Sequence, residues 1–156
     1  VLYRGGAEKQ IREYLIKGNF VDTVIQLPPN LFFGVGIATC IIVLSKGKKP
    51  DGNVLFIDAS NEFVKNGNKN LLEQQNIDAI VNAFIDRKDE QYFTKLVSNE
   101  EILANDCNLS VSSYVEQEDT REKIDIKAVN KDIEKVVKDV NRLREKVNGF
   151  IEEMEA

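Results

Sequence analysis

Residues 124–156 constrain the chain more than any other stretch. Ile126, Val129, Ile133, Val136, Val140, Leu143, Val147, Phe150 and Met154 are separated alternately by three and four positions, without a break. A helix gathers such residues on one face, so the run predicts an a/d heptad seam. Val137 and Ile151 fall at e positions and widen the stripe, which suits a helix bundle better than a two-stranded zipper. Lys, Arg, Asp and Glu fill the other faces as a solvated surface. Such a helix reaches about 50 Å at roughly 1.5 Å per residue, more than one compact core covers fully. Either it folds back on its own domain or it packs against helices of another chain, and its length favours the second.

The front of the chain has a different period. Residues 7–17 place Ile11, Tyr14 and Leu15 at helical spacing, with Gly5-Gly6 before and Gly18-Asn19 as the stop. Residues 20–27 read as a strand broken by Pro28-Pro29, and a glycine-containing loop follows over 30–36. Residues 39–45 are almost continuously apolar and β-branched, predicting a strand buried on both faces. Residues 53–59 predict a third strand. This order suits a mostly parallel α/β sheet finishing with antiparallel edge strands. Further on, Asn70 and Glu73 suggest a capping box for a helix with Ile77, Ile80, Val81 and Phe84 on one face. A short strand over 92–97 and a helix capped by Ser98 and Glu101 come next, and residues 108–115 read as extended.

Composition excludes several chemistries. The 156 residues are 42% hydrophobic and 30% charged, which reads as soluble and globular. The longest apolar run, near 37–44, is far short of a membrane span. There is no histidine, which removes Ser-His-Asp and Cys-His nucleophile systems and the commonest zinc sites. Cys40 lies in an apolar run and Cys107 in a polar loop, without CxxC spacing; both are expected to be reduced thiols in a cytoplasmic protein. Residues 1–50 carry seven Lys/Arg against three Asp/Glu, a net +4, whereas residues 51–123 carry seven against fifteen, a net −8. Nucleic-acid contact therefore belongs at the front of the chain or to a partner. Val1-Leu2-Tyr3 reads as the end of a strand begun upstream, so the chain is expected to be a piece of a longer protein.

No catalytic, cofactor or metal residues are expected. Pro28-Pro29-Asn30 reverses the Asn-Pro-Pro-aromatic order with which amino-directed methyltransferases hold a target amine, and reads as a strand terminator. Gly34-Val35-Gly36 precedes a strand rather than a helix and lacks the context of a phosphate loop. Asp58 and the acidic run 86–90 read as solvated surface. Phe32 and Phe33 admit two readings: one core anchor with one rim residue, or a stacking platform for an unpaired base.

Four segments, LYRGGAEKQIREYLI (2–16), VIQLPPNLFFGVGIATCIIVLSK (24–46), NVLFIDAS (53–60) and VSNEEILANDCNLSVSSYV (97–115), carry a collinear resemblance. They resemble the modification (methyltransferase) subunit of type I restriction–modification systems, in its C-terminal portion. The resemblance implies the edge of a Rossmann-like sheet with an antiparallel last strand, residues 20–27 and 39–45 being its last two strands. Small α+β segments and the heptad helix would follow. The implied domains are 1–64 in the sheet, 65–123 as an extension and 124–156 as the helix. The implied activity is S-adenosylmethionine-dependent methylation of adenine N6 in DNA, with donor and catalytic motifs upstream, so that this piece alone binds no cofactor and is inactive. Phe33, or second Phe32, would stack on the flipped adenine. The helix would pack against the DNA specificity subunit, in an assembly with a restriction subunit and DNA. Val35 replaces an expected Thr, and Cys107 and Ser113 replace an expected Tyr and Arg. The alternative is a non-catalytic α/β interaction module presenting its helix to a partner.

Overall fold

The computed structural model describes residues 1–47, 52–117 and 125–155, which fall into two compact units, one on either side of residues 118–124. In the first, helix α1 (Ala7–Lys17) leads into strand β1 (Val21–Gln26), then β2 (Cys40–Leu44) and β3 (Asn53–Asp58). A hairpin of β4 (Val64–Asn66) and β5 (Lys69–Leu71) precedes helix α2 (Gln74–Asp86), strand β6 (Thr94–Ser98) and helix α3 (Asn99–Ala104). Four strands form one sheet in the order β2-β1-β3-β6. β1 and β3 are parallel, and the outer strands β2 and β6 run antiparallel to their neighbours. The architecture is thus mixed α/β with antiparallel margins, and the strand expected near 92–97 joins this same sheet beside β3.

Alternation along β3 divides the core in two. Val54 and Phe56 point into a cluster with Ile16, Val97, Ile102, Leu109 and Val111, beneath α1 and α3. Leu55 and Ile57 point into a second cluster with Ile25, Leu27 and Ile80, beneath α2. A strand has period two, so covering both faces requires the unbroken apolar run seen at 54–57. In β1 the register shifts between Val21 and Thr23, so Val21 and Val24 reach the same cluster. Helix α1 stops at Gly18 because the Phe20 ring occupies the space of a side chain there; a Cβ would lie 2.3 Å from it.

Several expectations are corrected. β2 is a strand but is not buried on both faces: only Val43 is half-buried, and Cys40, Ile41, Ile42 and Leu44 are exposed. It pairs with β1 alone at the margin of the sheet, where no described helix covers it. In α1 the buried residues are Arg12 and Ile16, while Ile11 and Tyr14 face outward. In α2 they are Asn76 and Ile80, with Ala83 and Phe84 packed beside them, while Ile77 and Val81 are exposed. The cap of α2 is a reciprocal pair between Glu73 and Asn76, whose Oδ1 accepts from Glu73 N at 3.1 Å, because Asn70 is committed to β5. Residues 108–115 are not extended; they hold a 3₁₀ turn at Val111–Ser113, closed by a Tyr114 hydroxyl that donates to the Asn108 carbonyl at 2.7 Å. Ser98 does cap α3, accepting from Glu101 N at 3.1 Å.

Arg12 shows why period alone misassigned the inner face of α1. Its side chain is 3% exposed, with Nε donating to the Cys107 carbonyl at 2.7 Å and Nη1 to the Val1 carbonyl at 2.6 Å. Charge-assisted bonds offset burial of the guanidinium. Arg12→Met should destabilise the unit by roughly 1–3 kcal/mol, since the buried Cys107 carbonyl and the part-buried Val1 carbonyl both lose a charged donor. Urea unfolding measures it, and a loss under about 0.5 kcal/mol would show that water replaces both bonds.

The second unit is helix α4 (Ile126–Glu155), opened by Asp125 Oδ1, which accepts from Lys127 N at 2.9 Å and Ala128 N at 3.3 Å. No helix among the described residues is long and apolar enough to cross a membrane.

Candidate functional site

The loop between β1 and β2 is the most unusual surface of the first unit. Leu27 N donates to the Thr39 carbonyl at 2.8 Å and closes the neck of the loop. Pro28-Pro29 ends β1, because proline has no N–H for the ladder. Leu31 packs against the second core cluster and pins the loop from within. Beyond it the chain reverses in a four-residue turn: Val35 N donates to the Phe32 carbonyl at 3.2 Å, and Phe32 and Val35 form an isolated antiparallel bridge. Gly34 takes φ 73°, the left-handed value that the third position of such a turn requires and glycine adopts freely.

That turn projects Phe33 outward. Phe33 is 88% exposed and Phe32 52%, so neither is a core anchor; the anchor is Leu31, one residue earlier. Burying a phenylalanine is worth roughly 1.5–3 kcal/mol, so two free rings at one tip forgo a substantial stabilisation. The β4–β5 hairpin flanks the loop. Asn70 Nδ2 donates to the Pro29 carbonyl at 2.8 Å, and Asn70 N donates to the Asn30 carbonyl at 3.1 Å. Lys69 Nζ lies 4.3 Å from the centroid of the Phe33 ring, a cation–π contact. Asn70 and Lys69 carry no motif that period or spacing could reveal; only the docking of the hairpin brings them here.

A second concavity, about 740 Å³, gathers residues read from sequence as separate solvated surface. Asp58, Glu62, Asp86, Asp89 and Glu90 line it together with Lys88 and Tyr92. Asp58 is buried rather than solvated, because β3 ends beneath the loop that follows it; its carboxylate accepts from Ser60 N at 3.0 Å. Asp89 is engaged with Lys95, 2.8 Å away, and with Leu96 N; these bonds, the lysine's first, hold its carboxyl below the usual carboxylate range. No group of three His, Cys, Asp or Glu side chains among the described residues is arranged to hold a metal ion. The cysteines exchange their expected settings: Cys107 is buried in the core and Cys40 exposed on the marginal strand, where partial burial still pushes its thiol pKa up. Ser113 Oγ accepts from Asn108 Nδ2 at 2.9 Å, within the 108–115 segment.

All nine predicted seam residues lie on α4 and all are exposed, from 44% at Val129 to 87% at Met154. Val137 and Ile151 are exposed beside them.

The chain matches the family model described as N-6 DNA Methylase over residues 1–123. It is 42% identical to the type I restriction enzyme MpnII methylase subunit of Mycoplasma pneumoniae, over 99% of this chain and 28% of that protein. It is 35% identical to the MjaVIII methylase subunit of Methanocaldococcus jannaschii, over 98% of this chain and 27% of that one. Among solved structures, the type I restriction–modification methyltransferase subunit from Streptococcus thermophilus matches with TM-score 0.71 and 44% identity, over 74% of this chain and 24% of that one. The chain thus spans little more than a quarter of the curated relatives it matches. It belongs to the N-6 DNA methylase family and is similar to the methylase subunits of type I restriction enzymes.

Proposed function

We propose that this chain works as part of a subunit that methylates adenine N6 in DNA with S-adenosylmethionine, inside an assembly with a DNA specificity subunit and a restriction subunit in the cytoplasm. The family match over residues 1–123 supports this reading. In this reading the four-stranded sheet is one margin of a Rossmann-like sheet, residues 1–64 belong to it, 65–123 extend it, and 124–156 form the partner-binding helix.

In this reading the methyl donor is assigned to other parts of the intact subunit, no step of transfer is given to these residues, and the chain alone is expected to be inactive.

The contribution assigned to this chain is substrate holding. An adenine must leave the duplex before its amino group can be reached, and an aromatic face compensates for the lost stacking. Phe33, and Phe32 beside it, present such faces at the loop tip. Phe33→Ala in the intact subunit, assembled with its specificity subunit, should lower methylation about five- to a hundredfold, since base–aromatic stacking is worth about 1–3 kcal/mol. Tritiated-methyl incorporation measures it. Unchanged turnover removes Phe33 from the site.

A further inference from the structure

The loop tip has a neighbour that stacking alone does not explain. Strands β4 and β5, residues 64–71, carry two lysines and no acidic residue within the acidic stretch 51–123. Lys9, Lys17, Arg87 and Lys95 each have a carboxylate partner. Among the described residues Lys69 has none and rests over the exposed Phe33 ring instead. An exposed ring holds a cation weakly, so an anion of full charge displaces it. Asn70, next in sequence, is buried and holds the loop by the two carbonyls that precede its tip.

We propose that the β4–β5 hairpin is the phosphate-side wall of the stacking site. Lys69 grips the backbone phosphate of the nucleotide whose base lies on Phe33, and Asn70 is the positioning residue that fixes the loop. In a nucleotide the base and phosphate are joined through one sugar, so a surface that stacks the base meets an anion beside it. Lys69 is the cation already at that place. It leaves the ring as the base arrives and takes the phosphate. The inference rests on the stacking reading given above for Phe33.

The test uses the full chain and a single-stranded DNA oligonucleotide carrying one 2-aminopurine, whose fluorescence falls on stacking, titrated over a salt series. Lys69→Gln should weaken binding and lower the slope of log affinity against log salt by about 0.7, the value of one phosphate contact on a single strand, while quenching at saturation persists. Lys69→Arg should restore the slope. Phe33→Ala should abolish quenching and leave the slope unchanged. Asn70→Ala should reduce quenching at saturation with the slope intact, because the loop is no longer held. Lys127→Gln, on α4, should change neither. An unchanged slope in Lys69→Gln overturns the hairpin proposal and leaves the stacking reading standing. Quenching that survives Phe33→Ala overturns the stacking reading and the proposal with it, as does failure of the chain to bind the oligonucleotide.

Discussion

Phe56→Ala is expected to cost the first unit about 3–5 kcal/mol, the range for deleting a buried aromatic ring from a packed core. Phe56 lies in β3, one of the two inner strands of the sheet, and is fully buried. Its ring meets that of Tyr114 at a centroid separation of 4.4 Å, so the cavity opens between the sheet and the segment that follows α3. That segment is tied to the start of the chain through Leu109 N and the Leu2 carbonyl and braced internally by Tyr114 donating to the Asn108 carbonyl, and cannot close the gap easily. A domain of this size is stable by only about 5–15 kcal/mol, so the variant should approach the unfolding threshold at physiological temperature. Chemical denaturation followed by circular dichroism reads the effect. A loss under about 1.5 kcal/mol would mean that the 107–115 segment collapses into the space after all.

With α4 in its proposed role as partner-binding helix, Val140→Asp should weaken assembly with a specificity subunit by roughly a hundredfold or more, because an unpaired carboxylate in a helix seam carries a penalty of several kcal/mol. Val140 is the middle member of the nine seam residues and is 47% exposed in the free chain, so the penalty arises only on association. Lys138→Ala, two positions away on the polar side of α4, serves as the control and should leave assembly unchanged. Sedimentation of the mixed subunits measures the affinity, and far-UV circular dichroism checks that α4 persists. Intact assembly would show that the seam faces something other than this partner.

Most of the elements were readable because their punctuation is local; the β4–β5 hairpin and the 3₁₀ turn at Val111–Ser113 were not. Gly18 and Pro28-Pro29 bracket α1 and β1, Ser98 caps α3, and β-branched runs mark β2 and β3. Which faces those elements bury was less readable. In α1 a pattern of apolar residues pointed to Ile11 and Tyr14, yet the buried long side chain is Arg12, because two carbonyls from distant segments converge on it. In α2 the same difficulty shifts the inner face to Asn76 and Ile80, since the cap pairs with Asn76 and draws it inward. Asp58 is buried for a comparable reason, its carboxylate being answered by a backbone amide two residues on. Hydropathy assigns such polar groups to the surface, and only their hydrogen-bond partners reverse that.

Local order in this chain therefore settled where most helices and strands begin and the three-four spacing of apolar residues along α4, because periodicity, caps and turn residues act over a few positions, while four collinear segments carried the family resemblance. Tertiary contacts alone settled that Leu31 rather than Phe32 anchors the loop, that Asn70 grips it, and that Lys69 covers the Phe33 ring. Those contacts join residues some forty positions apart, and no pattern of neighbouring side chains records which distant backbone will come to meet them.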